Sequence, residues 1–320
     1  MKKKAIFTKV CVYLDQFAVS DMVDNQQTEL WSEIKNQLIK LHQDGIIFCP
    51  KSSEHYFETS QKSHENSVLH DSFLERLSDG WCFKPELFVS SQLISSHIRK
   101  NTIGIKTYMY DNVQNILESD IKYSQFNELS TNFRGLVLEA TEGINDLRKY
   151  TRDIRMDSKT KKSFLKVLEM YEPRNFISRL QDLYNEGGIR IRGVSIGGQE
   201  IPHWIDLIID QLLRTHKFTR LEVKKLITEF EQNGFKNIPS LNIRFSLHNL
   251  AAVYQKKETP GDHMDFARLS TGMPLSTLLF TDKKRKNELL ELGFDTLYGT
   301  KIFSGAQPDL VDFLSELKTL

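Results

Sequence analysis

A short apolar run ending in an acid, an amphipathic helix and a second short apolar run open this chain. That order admits few folds. Val10-Cys11-Val12-Tyr13-Leu14 leads directly into Asp15-Gln16. Thr28 then stands as a helix N-cap, Leu30, Ile34, Leu38 and Leu41 recur at helical spacing, and Gly45 closes the helix. Ile46-Ile47-Phe48-Cys49 follows as a second strand. A strand, a crossover helix and a strand make a β-α-β unit, and such a crossover implies parallel strands.

The pattern resumes near the other end. Ser276-Thr277-Leu278-Leu279-Phe280 reads as a strand and 283–292 as a helix. Thr296-Leu297-Tyr298 and Lys301-Ile302-Phe303 are two further strand candidates. Pro308 sits near the first position of a last helix carrying Leu310, Phe313, Leu314 and Leu317. One sheet is therefore expected from both chain ends, with residues 1–61 and 258–320 forming a discontinuous core. Between them, residues 62–257 read as an almost wholly helical insertion. Within it, a helix around Phe164–Tyr171 is expected to end near Pro173, and Thr219-Arg220-Leu221-Glu222 is a capping box. Residues 187–198 alternate β-branched and polar residues between glycines, as a small hairpin or exposed loop does. Arg190 and Arg192 there offer charge to phosphates; a simple connector is the plainer reading.

Composition bounds the function classes. Of 320 residues, 39% are hydrophobic and 27% charged, as in an ordinary soluble globular protein. A net charge of +1 exerts no overall pull on nucleic acid, so any such pull must be local. Cys11, Cys49 and Cys82 form no CxxC pair, which fits a reduced, cytoplasmic compartment. No window is long and apolar enough to span a membrane, and no GxSxG, HExxH or P-loop motif occurs.

The acids carry the chemistry. Asp15 and Asp282 each end an apolar strand, and Glu58 lies in the helix expected after strand two. Asp262 and Asp265 are three residues apart and share a helical face. Parallel strands put their C-terminal ends on one edge, where α/β sheets place ligands. Carboxylates gathered there repel and raise one another's pKa, and hard divalent cations relieve that. Singly, each acid is as well explained as a cap or a solvated surface group. Together, acids at both strand ends and on both expected helices favour a site.

The stretches Leu14-Asp15-Gln16, Pro50-x-Ser-Ser-x-His55-x-x-Glu58, Asp262-x-x-Asp265 and Thr281-Asp282-Lys283 resemble the PIN domain family of metal-dependent nucleases, over about a third of the chain. The resemblance is to large bacterial PIN-like proteins with a helical insertion. It implies an α/β, three-layer α/β/α core with a central parallel sheet. It implies Mg²⁺ or Mn²⁺ held by Asp15, Glu58, Asp265 and Asp282, with Asp262 replacing or assisting Asp265. Ser53 and Thr281 match hydroxyl positions supporting the carboxylates, and His55 and His263 stand beside the acids. Gln16 departs from the Thr, Ser or Asn of many members, which indicates a PIN-like subgroup. Lys283 and Lys284, directly after Asp282, are candidate nucleic-acid contacts. The implied activity is phosphodiester hydrolysis on nucleic acid, RNA by preference, in the manner of a toxin or phage-defence effector with a regulatory protein partner. Two alternatives stand beside it: a non-catalytic interaction scaffold in a larger complex, and a DNA-directed flap-type nuclease. Arg244-Phe-Ser-Leu-His248 falls one residue short of the motif of helical HEPN-type ribonucleases.

Overall fold

A computed structural model describes residues 8–23, 28–52, 55, 58–59, 62–111, 141–142, 145–146, 156–185, 193–196, 199–202, 204–254 and 256–320. Its strands are β1 (Val10–Leu14), β2 (Ile47–Phe48), β3 (Lys51–Ser52), β4 (Cys82–Phe83), β5 (Met109–Tyr110), β6 (Gly193–Ile196), β7 (Gln199–Pro202), β8 (Leu278–Phe280) and β9 (Lys301–Phe303). The helices that matter below are α1 (Gln16–Val23), α2 (Glu29–Gln43), α3 (His64–Leu77), α4 (Glu86–Arg99), α5 (Ser158–Asn185), α6 (Arg220–Asn233), α7 (Pro239–Val253), α8 (Pro260–Gly272), α9 (Lys283–Glu291), α10 (Phe294–Tyr298) and α11 (Gln307–Thr319).

The protein is mixed α/β and contains a four-stranded, fully parallel sheet of order β2-β1-β8-β9. The expected union of the two chain ends is therefore present: β1 pairs β8 directly, Val12 with Leu278 and Leu14 with Phe280. Strand β1 is apolar throughout because both its faces are covered, as parallel strands require. Val12, Leu14, Leu278 and Phe280 share one buried cluster with Trp31 and Ile34 of α2 and Phe313 and Leu317 of α11. Phe280 meets Trp31 at 5.5 Å and Phe313 at 5.1 Å between ring centroids. Tyr13 alternates to the other face, where it stacks on His55 and meets Phe83 edge-on. Gly272 packs against that ring: a Cβ there would stand 3.2 Å from Tyr13, so the ring would have to give by a few tenths of an ångström.

Thr28 caps α2 as expected, and the buried face of α2 includes Ile34, Leu38 and Leu41. Two residues beyond β2, strand β3 pairs in parallel with β4, which pairs antiparallel with β5.

Contacts divide the chain into two units. The first holds the described residues within Met1–Lys84, Gly104–Asn132 and Thr271–Leu320; the second holds those within Pro85–Ile103 and Phe133–Ser270. Residues 62–84 thus group with the sheet, whereas the sequence boundary is drawn at 61. The second unit is built on α4, α5, α6 and α7, with Phe176, Phe230 and Phe235 packed edge-to-face. Of the stretch 187–198, read as a hairpin or exposed loop, the described part is β6, which pairs antiparallel with β7 beyond it, from Gly193–Pro202 to Ile196–Gln199; 187–192 and 197–198 lie outside the described residues.

Three local expectations are corrected. Thr296–Tyr298 is helical, in α10, because Gly293 and Gly299 at φ +67° and +59° bracket a single turn. Helix α5 runs through Pro173 to Asn185. The cost of about 3 kcal/mol for an interior proline is outweighed by burial of Pro173 itself with Phe176, Leu180 and Leu183. The middle of the chain also holds β4 and β5, whose two-residue lengths leave no periodic signal.

Candidate metal centre

Two strand-to-helix junctions make the site. Asp15 leaves β1 and opens α1; Asp282 follows β8 and opens α9. Strands β1 and β8 are neighbours, and the chain passes from β1 to β2 on one side while β8 lies on the other. Their C-terminal ends therefore bound a topological switch point, the usual crevice for ligands in such sheets.

The β1–β8 ladder extends into the site, with Asp15 N–H donating to Phe280 O at 3.0 Å. Thr281, itself buried, donates its hydroxyl to Asp15 Oδ2 at 3.2 Å, and Gln16 N–H donates to Asp15 Oδ1 at 2.7 Å. The Asp15 carboxylate is thus fixed from both strands and is only 6% exposed. Asp282 Oδ1 accepts from Arg285 N–H at 3.0 Å, so this acid caps α9. Burial raises the Asp282 carboxyl above its ordinary range, the cap bond opposes that, and the Asp15 charge adds to it. Asp282 thus feels the Asp15 charge across the sheet edge.

His55 is held by backbone. Its Nδ1 accepts from Ser52 N–H at 3.0 Å, so Nε2–H donates to Leu14 O at 2.8 Å. The ring ties β3 to the last residue of β1, immediately before Asp15. Glu58 is helical and half-buried beside Thr59, whose hydroxyl donates to His55 O at 3.0 Å. Ser53, Arg190 and Arg192 lie outside the described residues.

Lys283 and Lys284 are exposed in the first turn of α9. The cation turned inward from that run is Arg285, buried and ion-paired to Glu288. Glu288 is also buried and adds its charge to the environment of Asp282. The sequence reading passed over both, and over Asp71 of α3, a buried acid that accepts from Thr59 Oγ1 at 3.4 Å. A signal for Asp71 exists: Ser67, Asp71 and Leu74 occupy one buried helical stripe.

Asp262 and Asp265 belong to the second unit. Asp262 Oδ2 accepts from Thr259 N–H at 2.7 Å and from its hydroxyl at 2.8 Å, while Asp262 N–H donates back to Thr259 Oγ1. That reciprocal cap opens α8. Asp265 is ion-paired to the buried Arg268. His263 lies beside His248, with ring centroids 5.3 Å apart. Burial pushes His248 down to about 4, so its imidazole is neutral at pH 7.

Chemically, the carboxylates of Asp15 and Asp282 are hard oxygen donors. No helix among the described residues is long and apolar enough to cross a membrane. No family model matches the chain, and neither a curated protein nor a solved structure matches it.

Proposed function

We propose that the protein is a metal-dependent nuclease with a PIN-like core, acting on RNA as an endoribonuclease. The observation that carries this reading is the meeting of Asp15, Thr281 and Asp282 at the C-terminal edge of β1 and β8, where the strand order reverses. The sheet order supports the PIN-like reading of the core, since both chain ends contribute strands to one parallel sheet.

Asp15 and Asp282 would hold Mg²⁺ or Mn²⁺, with Glu58 as the third candidate. The metal supplies an activated water and neutralises charge on the phosphoryl oxygens. The chain's own residues prepare that chemistry. Thr281 fixes one oxygen of Asp15, the N-terminus of α1 favours its negative charge, and burial removes competing water. Lys283 and Lys284, exposed beside Asp282, offer sequence-independent charge to a phosphate backbone. A cytoplasmic defence or toxin role, with a regulatory protein partner, is part of this proposal.

The test is cleavage of single-stranded RNA and DNA by the full chain with Mg²⁺, Mn²⁺ or EDTA. Asp15→Asn keeps shape and removes a metal-binding charge. Its rate should fall by at least about a hundredfold, the scale of a lost metal-centred step, while its melting temperature holds or rises. A preference for DNA ends would favour the flap-type reading. Folded wild type that cleaves neither polymer with any divalent ion would leave the acids structural, as an interaction scaffold has them.

A further inference from the structure

The second unit carries a different donor set. His248 on α7, Glu258 in the connection after it, and His263 on α8 converge. One ligand atom from each lies within 4.8 Å of the others. His248 Nδ1 is 3.6 Å from Glu258 Oε1, and His263 Nε2 is 3.2 Å from Glu258 Oε2. The Glu258 side chain is 1% exposed.

We infer that His248, Glu258 and His263 form a binding site for a divalent transition-metal ion such as Zn²⁺, separate from the Asp15–Asp282 edge. Zn–N and Zn–O bonds of about 2.0–2.2 Å in a tetrahedron leave ligand atoms about 3.3–3.6 Å apart. The two His–Glu separations, one to each carboxylate oxygen, are close to that edge length. The first is too long for a hydrogen bond, and among the described residues the buried His263 Nε2 has no hydrogen-bond partner. Two imidazoles and one carboxylate select zinc, iron or a similar ion over magnesium, which prefers oxygen and water. Three protein ligands leave a fourth position open, the arrangement of reactive rather than purely structural zinc sites.

The scaffold around the three residues is built to hold them. Buried Asn145 accepts from Glu258 N–H at 2.9 Å and donates to Glu258 O at 2.8 Å, clamping that residue's backbone at both ends. The Thr259–Asp262 reciprocal cap fixes the start of α8 directly after it. Phe266 packs edge-on to both imidazoles, at 4.8 Å from His248 and 6.2 Å from His263. Supporting residues of this kind set ligand orientation. The spacing, His-x9-Glu-x4-His, matches no zinc motif recognised from sequence, which explains why linear reading passes over it.

The experiment uses the full chain stripped with chelator, then dialysed against Zn²⁺ and assayed for bound metal, with Co²⁺ absorption reporting the ligand field. Wild type should retain about one equivalent, and so should the Asp15→Asn/Asp282→Asn variant. His263→Gln and Glu258→Gln should each weaken binding by at least about a hundredfold, beyond what loss of a supporting group gives. His263 lies near the start of α8, where glutamine is a good helix former, so His263→Gln is the variant expected to stay folded; circular dichroism and melting without metal check this. Two results would overturn the site: no stoichiometric Zn²⁺ in folded wild type, or equal retention by wild type and folded His263→Gln. The first would make the cluster a metal-free His–Glu–His ion network. Loss of zinc in Asp15→Asn/Asp282→Asn alone would place the ion on the sheet edge and equally overturn it. Because the readout is metal content, it is independent of whether the nuclease reading holds.

Discussion

His55 is the residue whose removal should most damage the Asp15 edge without touching a carboxylate. Its ring satisfies two buried backbone groups, Leu14 C=O and Ser52 N–H, and stacks on Tyr13 at 5.6 Å. Leaving a buried polar group without a partner costs about 1–3 kcal/mol, and a ring pair contributes about 0.5–1.5 kcal/mol. His55→Ala should therefore destabilise by about 3–7 kcal/mol, a large share of the 5–15 kcal/mol typical of a folded domain. His55→Phe keeps the ring and most of the volume but neither hydrogen bond, so it should still cost about 2–6 kcal/mol. Urea unfolding gives both values, and hydrogen exchange at the β1 amides shows whether that strand opens. Freed of its tie, Leu14 should let Asp15 wander, and Mg²⁺ affinity should drop about 10–100-fold, as for other supporting groups. A His55→Phe variant within about 1 kcal/mol of wild type, with unchanged β1 exchange, would refute the reasoning.

Asp282→Asn should stabilise the metal-free protein near pH 7, because asparagine keeps the cap and removes a carboxylate whose folded pKa is raised. A raised folded pKa favours the fold below the unfolded value and loses that benefit as pH rises through the folded one. The gain of the variant should therefore vanish at acid pH, and thermal melts across pH read this directly. Asp282→Ala loses the cap as well and should sit about 1 kcal/mol below the asparagine variant. Phe313→Ala should cost about 3–5 kcal/mol, since Phe313 is fully buried and packs on both Phe280 and Phe303; denaturant unfolding checks it. Lys283→Ala with Lys284→Ala should raise KM for RNA with little change in kcat, and the loss should be largest at low salt, where phosphate contacts contribute most.

Much of the sheet was legible because parallel strands covered on both faces must be continuous apolar runs. Val10–Leu14 and Leu278–Phe280 show themselves that way, and the stripes of α2 and α11 show the helices that cover them. Strands β4 and β5 hold two residues each, too few for any period to show. Pro173 misled because a local rule about proline carries no information on what the rest of α5 buries. At the metal-binding cluster, Glu258 falls in a short connection between helices and His248 stands one position off the stripe Leu247, Leu250, Ala251 and Tyr254. Neither position has a repeating signal, and only the turn between α7 and α8 brings them together.

The acids show a deeper limit. Asp262 and Asp282 look alike in one dimension: each sits at the start of a helix, and each accepts a backbone N–H there. Capping chemistry is local, so sequence reads it equally well in both places. The difference lies in what else is near. Asp282 shares its sheet edge with Asp15, and that charge helps to raise its carboxyl. Asp262 exchanges hydrogen bonds with Thr259. On the proposed reading this cap is also a ligand, and burial together with the Asp15 charge is the strain on the Asp282 carboxylate at that edge. A cation would relieve this strain by binding the folded state alone, which ties metal affinity to stability. Mg²⁺ or Mn²⁺ should accordingly raise the melting temperature of wild type more than that of Asp282→Asn, although the variant is the more stable of the two without metal.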